Sequence, residues 1–262
     1  MKIQAGSLQD YLVATSENAQ DHANEPPQLM YLVNQMDQIF QEEIFACDFK
    51  ADPTSGLLVM NAYTMLLSAV RQALSGHVVS TFPIVRTALE SACYAFLIAR
   101  DGANADIWFR RHDSEKDHKN CRDVFTVAKA VKELKSINTL MAEYVQAHYA
   151  ASIDFGAHPN RKSVIDHLED SGPIDNGMHG FSLTGVYGQN SWHVNLGLLA
   201  CVEVGQAIAF VVAASADNHP LINERIDVYR EWMDAKIRMA EELHGGPIPS
   251  TGAMYSSFRP PV

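Results

Sequence analysis

Between Gly56 and Ala99 the chain is apolar almost throughout, and Arg71, Arg86 and Glu90 stand inside that run among Leu, Val, Ala, Met and Phe. A stretch that is greasy on every side predicts helices buried in a core, because a surface helix shows a polar stripe. Ionised groups within it need partners, since an unpaired buried charge is costly. Asp52-Pro53-Thr54-Ser55-Gly56 supplies cap residues for a helix over about 56–75, which Gly76 ends. A second helix is expected from Val78 to Arg100, with Pro83 tolerated if it falls in the first turn.

The same reading covers the rest of the chain. Residues 7–24 predict a short helix of little pattern, and Glu25-Pro26-Pro27 reads as the start of another. Leu29, Leu32, Val33, Met36, Ile39, Phe40 and Ile44 then follow at helical steps. Residues 103–135 suit one long helix or two with a bend, and Ser136 caps a stripe of Ile137, Leu140, Met141, Tyr144, Val145 and His148. From 156 to 191 glycine and proline are too frequent for a long helix, and Ser163–Leu168 with Gly180–Tyr187 suggests a hairpin. A connection of this length is commonly functional. Ser191–Asp217 is again apolar, but Glu203 and Gln206 near its middle favour a buried core helix over a membrane span. A last helix over 221–244 stops at Gly245-Gly246.

The expected architecture is therefore all-α. It is a single domain over 1–244, a bundle of six or seven helices with a small Gly/Pro-rich insertion near 160–190. The tail, 245–262, is expected to be flexible or laid on a partner through Met254, Tyr255 and Phe258.

Composition narrows the function classes. With 20 basic and 31 acidic residues the net charge is −11, which argues against general affinity for nucleic acid. The basic residues Arg110, Arg111, Lys116, Lys119 and Arg122 are interleaved with Asp113, Glu115, Asp117 and Asp123, as on a solvated helix face. Four cysteines without CxxC spacing fit a reducing cytoplasm. The N-terminus carries no signal-peptide pattern. A homodimer is the expected assembly, being the commonest for soluble proteins, with a different protein partner as the alternative.

Arg86 and Glu90, four apart, share a helix face and can pair. Arg71 and Glu203 are two further charges in apolar helices, able to join the same buried network. His148 closes an apolar stripe, and His158 stands at a helix exit bordered by Gly156 and Pro159, where a side chain can project into a cleft. These six residues are the expected binding or buried polar set. Glu115 to His118 is a single Glu-x-x-His, whereas a di-iron bundle needs two. His112 and His118 lie roughly 240° apart on an ideal helix, so no metal or other cofactor is expected. No phosphate-loop, dinucleotide, nucleophile-elbow or zinc-finger spacing is present.

A helical layout with Arg86-Thr87-Ala88-Leu89-Glu90 on an apolar helix, then Gly156-Ala157-His158-Pro159 after a later one, resembles HEPN-like bacterial proteins over residues 56–217. The resemblance implies a helical bundle, in a family with many uncharacterised members and others in toxin–antitoxin or phage-defence systems. Ribonucleases of that family carry Arg-x4–6-His, in which histidine moves protons and arginine stabilises phosphate charge. Arg71/His77, Arg111/His118 and Arg161/His167 have the spacing here, and the helix step favours Arg111/His118 with His112 after the arginine. That motif usually sits on a late helix, whereas Arg111 is mid-chain among acids. The leading expectation is a helical protein that binds a protein or small ligand. The alternatives are a metal-independent ribonuclease using Arg111, His118 and His112, the only reading with a nucleic-acid partner, and a metal-dependent bundle enzyme using His112, Glu115 and His118.

Overall fold

The computed structural model describes residues 5–47, 52–174, 177–189 and 191–259. The described residues form eleven α-helices and one hairpin, so the all-α class holds while the chain is cut into more pieces than its periodicity suggests. In order these are α1 (Leu8–Asn24), α2 (Met30–Ile39), α3 (Pro53–Leu74), α4 (Val78–Arg100), α5 (Ala103–Phe109), α6 (Glu115–Val124), α7 (Val127–Leu134) and α8 (Thr139–Ser152). After them come α9 (Arg161–Ile165), the antiparallel strands β1 (Leu168–Ile174) and β2 (Met178–Leu183), α10 (Trp192–Ala214) and α11 (Ile226–His244).

The extra breaks have local causes. Ser114 Oγ accepts from the Asp117 amide and Thr126 Oγ1 from that of Lys129, so the stretch 103–135 splits into α5, α6 and α7. Asn138, three residues before Met141, caps α8 in place of Ser136. Asp52 caps α3, with Pro53 in its first turn. α11 ends at Gly245, whose φ of 83° is the left-handed conformation glycine takes without strain. The hairpin pairs Leu168 with Leu183, so it starts later on the first side and ends earlier on the second than expected.

α10 is the axis of the core. From Val194 to Ala214 every residue but Asn195 is buried, and α2, α3, α4, α8 and α11 surround it. α3, α4 and α10 are each long and apolar enough to cross a membrane, and the window of α10 that qualifies is wholly buried inside the fold. Glu203 has no exposure there because Lys236 of α11 meets it at 3.0 Å, while its other oxygen accepts the Tyr255 amide at 3.1 Å. Tyr144 and Gln206 complete this interior polar set.

The tail departs from expectation. Met254, Tyr255 and Phe258 are fully buried against their own chain, with no partner required. Phe258 stacks on Trp192 at 3.8 Å between ring centroids, and Tyr255 packs among Phe82, Phe155 and His148. The molecule already offers an aromatic slot, so these rings leave water in cis.

Candidate functional site

The arrangement begins with a missing donor. Pro83 has no amide hydrogen, so the Val79 carbonyl four residues back in α4 lacks its usual helical partner. The wide turn after α8, Ile153–Ala157, packs on that carbonyl through Gly156, where a Cβ would lie 2.4 Å from the Val79 oxygen. The close approach delivers His158, two residues later, onto the outward side of α4. Asn160 fixes the exit: its Nδ2 donates to the Ile153 and His158 carbonyls, and its Oδ1 accepts from Lys162 and Ser163 at the start of α9.

Arg86 is the centre. Its Nε donates to Glu90 Oε1 at 3.1 Å, its Nη1 to His158 Nε2 at 3.0 Å and its Nη2 to Tyr149 Oη at 3.0 Å. Three elements thus hold one guanidinium, with the Arg86 and Glu90 side chains 22% and 27% exposed. Burial works against the charge of Arg86, but Glu90 and Tyr149 outweigh it and its pKa is raised. Arginine can only donate, so His158 Nε2 is the lone-pair nitrogen of a neutral ring and the proton sits on Nδ1. The Tyr149 oxygen accepts, leaving its own proton for another acceptor. The basic nitrogen of His158 is already occupied, which suits holding a ligand better than abstracting a proton.

The stripe continues along α4. Burial, with Glu90 adding to it, pushes both the Cys93 thiol and the Tyr94 phenol up to about 12, and Arg111 opposes the shift at Tyr94. Arg111, His112, Ser114, Glu115 and His118 line one open hollow nearby. The helix expected to join Arg111 to His118 is broken, since Arg110–His112 is a 3-10 turn and α6 starts after Ser114. The two side chains border the same hollow all the same. Arg110 is spent on Asp113 and Asp117. Although His112, Glu115 and His118 share this hollow, among the described residues no three His, Cys, Asp or Glu side chains converge closely enough to hold a metal ion.

The other expected members lie elsewhere. Arg71 is exposed in the last turn of α3 and takes no part in the buried network, because it falls on the helix face of Leu57, Met60 and Leu67. His148, the neighbour of Tyr149 in α8 and about 100° around the helix from it, is fully buried, its ring 4.2 Å from that of Tyr144. Neither nitrogen of His148 has a partner among the described residues, and burial followed by the charge of Lys236 holds its pKa well below the ordinary value. Glu203 pairs with Lys236, not with Arg71 or Arg86. Lys236 escapes the first reading although it sits on the apolar stripe Tyr229, Trp232, Lys236, Ala240, which is the signal that marks it. Tyr149 has no such signal in the sequence. A separate polar hollow at the C-terminal ends of α4 and α10, bordered by Asp52, Arg100, Asp217 and Asn223, contains none of the expected residues.

Comparison with family models, with curated proteins and with solved structures gives no match.

Proposed function

We propose that this chain is a HEPN-like helical protein of the toxin–antitoxin or defence kind that works by binding, through Arg86, Tyr149 and His158, a small ligand rich in acceptor oxygens. The observation that carries the reading is the threefold engagement of Arg86. With Glu90 balancing the charge through Oε1, the donors left at this place are the Tyr149 hydroxyl, the His158 Nδ1–H and the remaining guanidinium hydrogens, beside one acceptor, Glu90 Oε2. Four unpaired cysteines support a reducing setting.

The test is a thermal-shift and calorimetric screen with inorganic phosphate, nucleoside mono- and diphosphates and dicarboxylates as probes. At least one probe should raise Tm in the parent chain, and His158→Ala and Tyr149→Phe should abolish the shift while remaining folded. Absence of any shift across the panel overturns the reading.

A metal-independent ribonuclease is the second reading, favoured by Arg111, His112 and His118 bordering one hollow with Ser114. It requires cleavage of a single-stranded RNA in the presence of EDTA that His118→Ala removes. An inert parent protein excludes it.

A further inference from the structure

The two longest helices, α4 and α10, end at the same place. Each has 23 residues, and the carbonyls of a last helical turn point out along the axis with no helical amide to meet them. A polar hollow of about 390 Å³ lies against both ends, a size at which proteins hold small molecules. Among the described residues, the Ile98 carbonyl of α4 and the Ala214 carbonyl of α10, both on residues that border the hollow, accept no hydrogen bond. The end of such a helix carries about half an elementary negative charge, which a basic side chain in the last turn commonly offsets. α10 has none there, and α4 has Arg100 alone.

The side chains around the hollow extend the same sign. Asp52 spends Oδ1 on the Thr54 amide at 2.8 Å, where it caps α3, and its Oδ2 takes no donor among the described residues. Asp217, exposed at the rim, makes no hydrogen bond or ion pair among them. Asn223 donates from Nδ2 to the His219 carbonyl at 2.8 Å, which leaves its Oδ1 to accept. Against these acceptors stand the Asn218 amide, which both donates and accepts, and the Arg100 guanidinium, whose Nε lies 3.9 Å from Glu133.

We propose that this hollow binds a small organic cation with N–H donors, an alkyl amine or a guanidine, between the carboxylates of Asp52 and Asp217 and the open carbonyls of Ile98 and Ala214. The site is independent of the one at Arg86. Its chemistry selects the class. An anion would meet two acids and two negative helix ends. An apolar molecule would leave the carbonyls dry and unpaired. A hard metal ion needs about six to eight oxygens converging within roughly 2.6 Å. Two carboxylates across a hollow of this volume do not supply that, and no three metal-binding side chains converge among the described residues. An ammonium or guanidinium brings its own bulk and several N–H groups, which separated acceptors can share.

Calorimetry and thermal shift with putrescine and agmatine at constant ionic strength test this. At least one of them should raise Tm in the parent chain and bind roughly tenfold more tightly than tetramethylammonium, which has the charge but no N–H. Asp217→Asn and Asp52→Asn, the latter still able to cap α3, should each weaken binding about fivefold or more while far-UV dichroism is unchanged. His158→Ala, placed in the Arg86 site, should leave the affinity as it was. Failure of both amines to bind, equal binding of tetramethylammonium, affinity indifferent to both aspartate substitutions, or displacement of the amine by an equal concentration of calcium would each overturn the proposal.

Discussion

Replacing Lys236 with methionine keeps the stem of the side chain and deletes its charge, leaving Glu203 without a counter-charge in the centre of the core. Both groups have no exposure and stand 3.0 Å apart. At an effective dielectric constant near 20, unit charges at that separation attract by about 5 kcal/mol, which offsets the loss of their hydration. Without the ammonium, the carboxylate retains the Tyr255 amide at 3.1 Å, with the Tyr144 hydroxyl beside it. Single removals of this kind cost about 3–5 kcal/mol, roughly a fifth or more of the stability of an ordinary domain. Glu203→Gln combined with Lys236→Met removes both charges yet keeps an amide oxygen for Tyr255, and its cost should be about 1–2 kcal/mol. Urea denaturation followed by far-UV dichroism, with m-values compared, gives the four corners of the cycle. A Lys236→Met loss below about 1 kcal/mol, or a double variant equal to the sum of the singles, would refute the reasoning.

Three further outcomes follow from other parts of the molecule. His148 stays neutral when folded and binds a proton near pH 6.5 when unfolded, so stability falls as pH drops below that value, by about 1.4 kcal/mol per unit for this group. His148→Phe should remove that share of the slope in urea titrations at pH 7.5, 6.5 and 5.5, and an unaltered slope contradicts the assignment. Gly156→Ala places a methyl group against the Val79 carbonyl, so it should cost about 1–3 kcal/mol by chemical denaturation and abolish any ligand-induced Tm shift that depends on His158. Phe258→Ala should cost about 3–5 kcal/mol and alter the fluorescence of Trp192, on which the ring stacks; an unchanged emission spectrum would place the tail elsewhere.

The legible and illegible parts of this chain differ in range. α4 is marked to its ends because Gly76 and Asp101-Gly102 punctuate an otherwise continuous apolar run. The break at Ser114 is equally local, but a serine among charged residues looks the same whether it caps a helix or rides on one. Arg86 and Glu90 can be joined from spacing alone, since four residues make one helical turn. His158 can be suspected from its Gly and Pro neighbours. That it lands on Arg86, 72 positions earlier, depends on Gly156 meeting the carbonyl freed by Pro83, a contact between two helices with no sequence signature. Arg71 shows the opposite case: a charge inside an apolar run that belongs to the wet side, because the greasy residues around it are themselves exposed.

The placement of Glu203 has a consequence for the chain during synthesis. It is the twelfth of the 23 residues of α10, its midpoint, and Lys236 is added 33 residues later. Until then the segment resembles those that a translocon passes sideways into hydrocarbon. An acidic residue at the midpoint of such a segment opposes that transfer by about 2.5–3.5 kcal/mol. The carboxylate therefore weighs against lateral escape of the nascent helix before it has a folded partner, and Glu203→Leu would lift that barrier.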